Sequence, residues 1–228
     1  MKFTITRINR QNKLMVSTKT VDSFLERIAK DDAKQSVARF RMSVPLMEGD
    51  YQYYKGIREW QHVYPAAEFS KDESGNLVFQ KSNGLVILHF TNLMTNQEKD
   101  ATKTAASLLP MTFAAIEGAD GRSLIVLVSI CNKEGKIPTK EEEADLLYQS
   151  AYEQVKTLYQ AQVHATIKPE KPSLESNFML TMDASPYYNN KAVAMRIASN
   201  QFAVATAPKS IDDLKAYDDY EFLYRKAS

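Results

Sequence analysis

Apolar and polar residues alternate along Phe3-Thr4-Ile5-Thr6-Arg7-Ile8, the period of a half-buried strand, and then the rhythm changes. Val21, Phe24, Leu25 and Ile28 recur three and four apart, and Thr20 stands before them as a cap for the helix they predict. Ser36 to Met42 reads as a second strand, so the opening is expected to be a βαβ unit with both strands in one sheet. The most apolar run of the chain is Gly84-Leu85-Val86-Ile87-Leu88-His89-Phe90-Thr91-Asn92-Leu93. Bounded by Ser82-Asn83-Gly84 and by a helix start, it predicts a buried central strand. Leu77 to Gln80 lies just upstream, across Lys81-Ser82-Asn83, and predicts the other arm of a hairpin.

Thr95-Asn96-Gln97-Glu98 is a capping box, opening a helix expected to run to about Leu109 before Pro110. Thr112 to Ile116 is a strand, Gly118-Ala119-Asp120-Gly121 a turn, and Ser123 to Ile130 a second nearly continuous apolar strand. Thr139-Lys140-Glu141-Glu142 repeats the capping-box pattern ahead of the longest helix, whose expected buried face is Ala144, Leu147, Ala151, Val155 and Leu158. Phe178 to Met182 and Ala192 to Ile197 read as strands on either side of a turn-rich stretch from Asp183 to Asn190. No repeat or low-complexity segment interrupts this order. The expected class is α+β, one domain over residues 1–205, followed by a polar tail or terminal helix over 206–228 that could serve as a linker.

Composition narrows the function classes. With 29 Lys and Arg against 28 Asp and Glu the net charge is +1, unlike a strongly basic nucleic-acid binder. The charge is uneven, however: residues 1–41 hold ten basic side chains against four acidic ones, and Asp212, Asp213, Asp218, Asp219 and Glu221 make the tail acidic. The single cysteine, Cys131, excludes an internal disulfide and reads as a small buried strand residue, and three scattered histidines give no zinc spacing. No stretch approaches the ~18 apolar residues of a membrane span, and the N-terminus alternates where a signal peptide would be apolar. A cytoplasmic location with no membrane partner is expected.

Candidate chemistry gathers at strand ends, where loops open into crevices. His89, Thr91 and Asn92 close the apolar run. Tyr51, Tyr53, Tyr54, Trp60 and Tyr64, interleaved with Lys55 and Arg58, either stack single-stranded bases or pack a long loop onto the core. Arg122 and Ser123 suit a phosphate, or form a solvated turn. Tyr187 and Tyr188 offer a stacking platform or core packing, and Asp183 a ligand or a turn cap. There is no phosphate-cradling glycine loop and no Ser-His-Asp spacing.

Three of these stretches, Gly84–Leu93, Glu117–Val128 and Asn177–Ile197, the last containing Asp183-Ala184-Ser185-Pro186-Tyr187-Tyr188-Asn189-Asn190, form an ordered set of strand-end signatures. The set resembles the N-terminal domain of the bacterial virulence-associated protein E-like family, related to the archaeo-eukaryotic primase/primase-polymerase superfamily, over residues 1–200. The resemblance implies a mixed or antiparallel sheet with an RRM-like core flanked by helices. It places the family's two metal-binding aspartates on His89 and Thr91, its second signature on Asp120-Gly121-Arg122-Ser123, and its third on Asp183 with Tyr187-Tyr188-Asn189. Nucleotidyl transfer needs carboxylates to hold two hard cations, and His89 and Thr91 are poor substitutes that leave Asp183 alone.

The expectation is a catalytically degenerate primase-polymerase-like module without metal or cofactor. It would bind single-stranded or duplex DNA, or a protein partner such as a helicase-like segment or subunit, within a replication or mobilisation protein of a mobile element. Expected site residues are His89, Thr91 and Asp183 at the degenerate positions, Arg122 and Ser123 for phosphate, and Tyr187, Tyr188, Trp60 and Tyr53 for stacking. Two alternatives stand beside it. One is an active Mg²⁺- or Mn²⁺-dependent nucleotidyltransferase recruiting Glu68 or Asp72 with Asp183. The other is an interaction domain with no nucleic-acid role.

Overall fold

In the computed structural model, which describes residues 1–9, 11–30, 34–44 and 60–198, the chain opens with a hairpin. β1 (Lys2–Ile8) pairs antiparallel with β2 (Leu14–Thr20) across a turn in which Asn12 takes a left-handed conformation. Thr20 then caps α1 (Val21–Lys30), its Oγ1 accepting from the Ser23 N–H, and Val21, Phe24, Leu25 and Ile28 are buried as their spacing requires. Two features of the opening differ from the sequence reading. The second strand precedes the helix, and Lys34–Ser43 is a helix, α2, so the order is ββαα and not βαβ. The physical reason is exposure: β2 is an edge strand with almost no buried positions, so it carries no hydrophobic alternation to detect.

β3 (His62–Tyr64) joins β1 on its other side and β9 (Phe178–Met179) completes a sheet of order β2-β1-β3-β9. β4 (Ala67–Lys71) and β5 (Leu77–Ser82) form a separate two-stranded ribbon. The hairpin expected between β5 and β6 (Leu85–Phe90) is therefore absent. Asn83 explains why. Its N–H donates to Ala66 O and its Nδ2 to the carbonyls of Pro65 and Lys2, anchoring the link to the β3–β4 corner. Gly84 then turns the chain at φ +63, where a β-carbon would meet Ile130 O at 2.8 Å.

The main sheet is built by β6, α3 (Asn96–Ser107), β7 (Thr112–Glu117), β8 (Leu124–Asn132) and α4 (Glu141–Val163). β8 is its centre, antiparallel to both β6 and β7 and parallel to the short β11 (Met195–Ile197). β10 (Tyr187–Tyr188) pairs with β7. The order strand-helix-strand-strand-helix, with the third strand between the first two, is a split βαβ arrangement. The apolar run β6 is thus not the central strand. Its far edge is covered after α4 by an extended segment: Ile167 bridges Phe90, Thr91 N donates to Thr166 O, and Lys168 N to His89 O. The buried Tyr148 hydroxyl, pushed up to about 12 by burial, accepts from the Ile87 N–H and satisfies a further edge donor.

Both faces of this sheet are buried, which is why β6 and β8 read as continuous apolar runs. Val86, Leu88, Phe90, Leu124, Val126 and Val128 face α3 and α4. Leu85, Ile87, Ile125 and Leu127 face the layer of β1, β3, β9 and α1. Each such fully buried side chain contributes about 1.5–3 kcal/mol. The Thr95 capping box forms as the sequence predicts, whereas the N-cap of α4 is Lys140, which makes no side-chain cap. The buried face of α4 includes Tyr148, Tyr152 and Tyr159, while Leu158 is half-buried. The strands predicted at Phe178–Met182 and Ala192–Ile197 shorten to β9 and β11, and Tyr187–Tyr188 is strand where a turn-rich loop is expected. Cys131 is buried on β8. Residues 1–197 form one compact unit, and among the described residues no helix is long and apolar enough to cross a membrane.

Candidate functional site

Because strand side chains alternate, His89 and Thr91 share a face with Leu85 and Ile87, toward the β1–β3–β9 layer. Beyond the end of that layer the face opens as a cleft of about 480 Å³. His89 lines it from β6 and Thr91 from just past its end, Ser123 and Asp120 from the β7–β8 turn, and Lys168 and Glu170 from the segment zipped onto the β6 edge. Its opposite wall is His62 of β3 and Asn177, with Phe40, Ile125, Phe178 and Met179 as the apolar part.

The polar groups are mutually oriented. His89 Nδ1 donates to Glu170 Oε2 at 2.8 Å, and Lys168 Nζ holds Glu170 Oε1 at 3.0 Å. Burial alone would raise the Glu170 carboxyl, but the His89 hydrogen bond, the His89 charge and Lys168 outweigh it and hold the group below the ordinary glutamate value. His62 Nδ1 donates to Asn177 Oδ1 at 2.9 Å. Asp120 Oδ1 accepts from Ser123 Oγ at 2.6 Å and from the Arg122 N–H at 3.0 Å, closing the turn on itself. Gly118 permits this packing: a β-carbon there would lie 1.9 Å from Ser123 Oγ.

Asp183 does not join the cleft. It is 3% exposed, its Oδ2 accepting from Lys103 Nζ at 2.7 Å and from Glu117 N–H at 2.8 Å, and its Oδ1 from Ser185 N–H. Around it an ionic cluster links α2, α3 and β7. Arg41 reaches Glu117 at 3.4 Å and donates to the carbonyls of Met182 and Gly118, and Lys99 also pairs with Glu117. With its carboxylate oxygens already engaged, and with His89 and Thr91 at the other two positions, these residues do not fit a pair of hard divalent cations. Glu68 and Asp72 lie on β4 and in the β4–β5 turn, Glu68 accepting from Lys2 N–H and Asp72 from Asn76 N–H, and neither lines the cleft with His89. Among the described residues no group of three or more His, Cys, Asp or Glu side chains is placed to hold a metal ion.

Residues 56–188 match the family model for the BT4734-like, N-terminal domain, more than half of the chain. The chain belongs to that family. No curated protein matches it, and no solved structure does. The BT4734-like region contains β6, β7, β8 and β10 of the main sheet, both of its helices and every cleft-lining group named above except Phe40, while β11 lies beyond it.

The remaining sequence candidates fall in other surroundings of this BT4734-like domain. Trp60 backs the cleft wall, its ring 5.3 Å from that of Phe40 and its Nε1 donating to Leu180 O. Tyr188 packs edge-on against Phe113 at 5.3 Å, and Tyr187 packs against the α3–α4 side of the core. Arg122 is half-exposed beside the cleft, and Tyr53 lies outside the described residues. Glu170, Lys168, His62 and Asn177 escape sequence reasoning. For Lys168 and Glu170 the local signal is an apolar-polar alternation around Ile167, and the role of all four depends on strands far apart in the chain meeting.

Proposed function

We propose that this domain is a primase-polymerase-like module whose metal ligands have been replaced, and that its cleft binds nucleic acid within a replication or mobilisation protein of a mobile element. One observation carries the reading. Residues matched to two separate signatures of the resemblance, His89 and Thr91 from the first and Asp120 and Ser123 from the second, face one cleft on the sheet of a split βαβ core. Lys168, exposed at the rim, supplies positive charge for a phosphate. Asp183, the residue matched to the third signature, lies outside the cleft in its own ion cluster, so the reading rests on the first two signatures alone.

The test is titration of the full chain with short single-stranded and duplex DNA at two salt concentrations. Binding that weakens as salt rises is expected, since each phosphate contact releases counterions. Lys168→Ala is expected to weaken it uniformly across sequences. No binding at the lower salt overturns the reading.

A further inference from the structure

The His89 imidazole lines the cleft with a side chain only 13% exposed, and one of its two nitrogens is taken. Nδ1 donates to the Glu170 carboxylate at 2.8 Å, which selects the Nδ1–H tautomer of the neutral ring and leaves a lone pair on Nε2. Nε2 has no partner among the described residues. The ring cannot turn to find one without losing Glu170, and the backbone holds both sides of the pair, Lys168 N donating to His89 O and Thr91 N to Thr166 O. The cleft therefore presents a fixed and largely shielded hydrogen-bond acceptor.

The charges around His89 decide what kind of group meets it. Glu170 holds the ring, and Asp120 lines the same cleft with its Oδ1 taken by Ser123 Oγ and the Arg122 N–H and its Oδ2 unpaired among the described residues. An ionised phosphate has no proton to give a lone pair, and carboxylates repel it. A neutral hydroxyl has the proton. Lys168 is the cation on this wall: its ammonium, on a side chain 59% exposed, holds Glu170 Oε1 at 3.0 Å while His89 holds Oε2 of the same carboxylate. Sharing one carboxylate keeps the ammonium and the imidazole close enough to serve a single nucleotide. With the phosphate on Lys168, the sugar beside it lies against His89. Within a DNA strand that sugar has no hydroxyl to offer, whereas in RNA every sugar carries a 2′-hydroxyl.

We infer that the cleft selects RNA over DNA, with His89 Nε2 accepting a hydrogen bond from a ribose 2′-hydroxyl and Lys168 holding an adjacent phosphate. This deepens the nucleic-acid reading above and rests on it. A deoxy strand covers Nε2 without supplying a donor, and a shielded acceptor left unpaired separates the two strands by about 10-fold in affinity. Glu170 is a positioning residue, since it fixes which nitrogen carries the proton and where the other one points.

The experiment titrates the full chain, at neutral pH in EDTA, with three labelled strands of one length: oligouridine, oligodeoxyuridine and 2′-fluoro-oligouridine. Their bases are identical, and the fluoro strand keeps an RNA-like sugar pucker without a hydroxyl proton. Oligouridine is expected to bind about 10-fold more tightly than either of the others. His89→Phe keeps a ring and has no acceptor, so its affinities for the three strands converge. Glu170→Ala releases the ring and narrows the RNA-to-DNA ratio, which a purely structural loss, weakening all strands alike, does not. Equal affinity of the parent chain for the RNA and DNA strands overturns the inference, as does a fluoro strand that binds as tightly as RNA. So does a His89→Phe protein, folded by circular dichroism, that keeps the parent ratio; should it not fold, the fluoro comparison on the parent chain decides. Binding of all three strands without selectivity removes this inference alone, and binding of none removes the nucleic-acid reading as well.

Discussion

His89 and Glu170 are 81 residues apart in the chain, yet Nδ1 and Oε2 meet at 2.8 Å, because the segment after α4 pairs with the exposed edge of β6. The contact also couples stability to pH. The Glu170 carboxyl is held below its ordinary value in the folded state, so its contribution is present above the unfolded-state value, near ~4.3, and is lost as pH falls through the folded value. Glu170→Gln is expected to cost about 1 kcal/mol at neutral pH and to flatten the loss of stability on acidification. Urea midpoints at neutral pH and at several acid pH values measure both; an unchanged acid limb contradicts the pairing.

Asp183→Asn separates a structural aspartate from a ligand. The substitution leaves Lys103 without its buried counter-charge and should destabilise the fold by about 3 kcal/mol. It should leave the affinity of the cleft for nucleic acid unchanged under conditions where the variant is folded. Chemical denaturation and the DNA titration together decide; a stable variant that has lost binding would place Asp183 in the site.

The two capping-box sequences predict opposite outcomes. Thr95 Oγ1 accepts from Glu98 N–H and the Glu98 side chain returns the bond, so Thr95→Ala should cost about 1 kcal/mol. Thr139 is not the N-cap of α4, which is Lys140 without a side-chain bond, so Thr139→Ala should lie within about 0.5 kcal/mol of the parent. Thermal denaturation of the pair gives the difference directly.

Inside the α3–α4 core, Thr112 Oγ1 donates its one proton to Ala106 O at 2.6 Å. Tyr159 must therefore be the donor in its 2.5 Å bond with Thr112. Tyr159→Phe removes one donor and leaves the Thr112–Ala106 bond in place, at a cost of about 1 kcal/mol. Thr112→Val loses both bonds and strands the tyrosine hydroxyl, so it should cost more. A reversed order in urea denaturation would refute this donor assignment.

Much of the secondary structure is legible in the sequence because it depends on local signals. The spacing of Val21, Phe24, Leu25 and Ile28, the Thr95–Glu98 box and the apolar β8 run all appear where their patterns place them. Pattern fails where burial is shared or missing. β2 carries no alternation because it is an exposed edge, and three tyrosines extend the α4 core face beyond its aliphatic stripe.

By itself, then, the sequence determines an α+β chain with two long apolar strands in its interior, since apolar periodicity records how much of each element leaves water. It also presents His89 and Thr91 at a strand end and Asp120 and Ser123 in a turn. Only the tertiary structure decides that these four meet in one cleft, that Asp183 belongs to a buried ion cluster, and that Glu170 orients His89. The reason is that strand pairing is non-local. Which edge the 166–168 segment covers, and which carboxylate that brings beside the imidazole, depends on hydrogen bonds between residues some 80 positions apart, and no window of the sequence contains both partners.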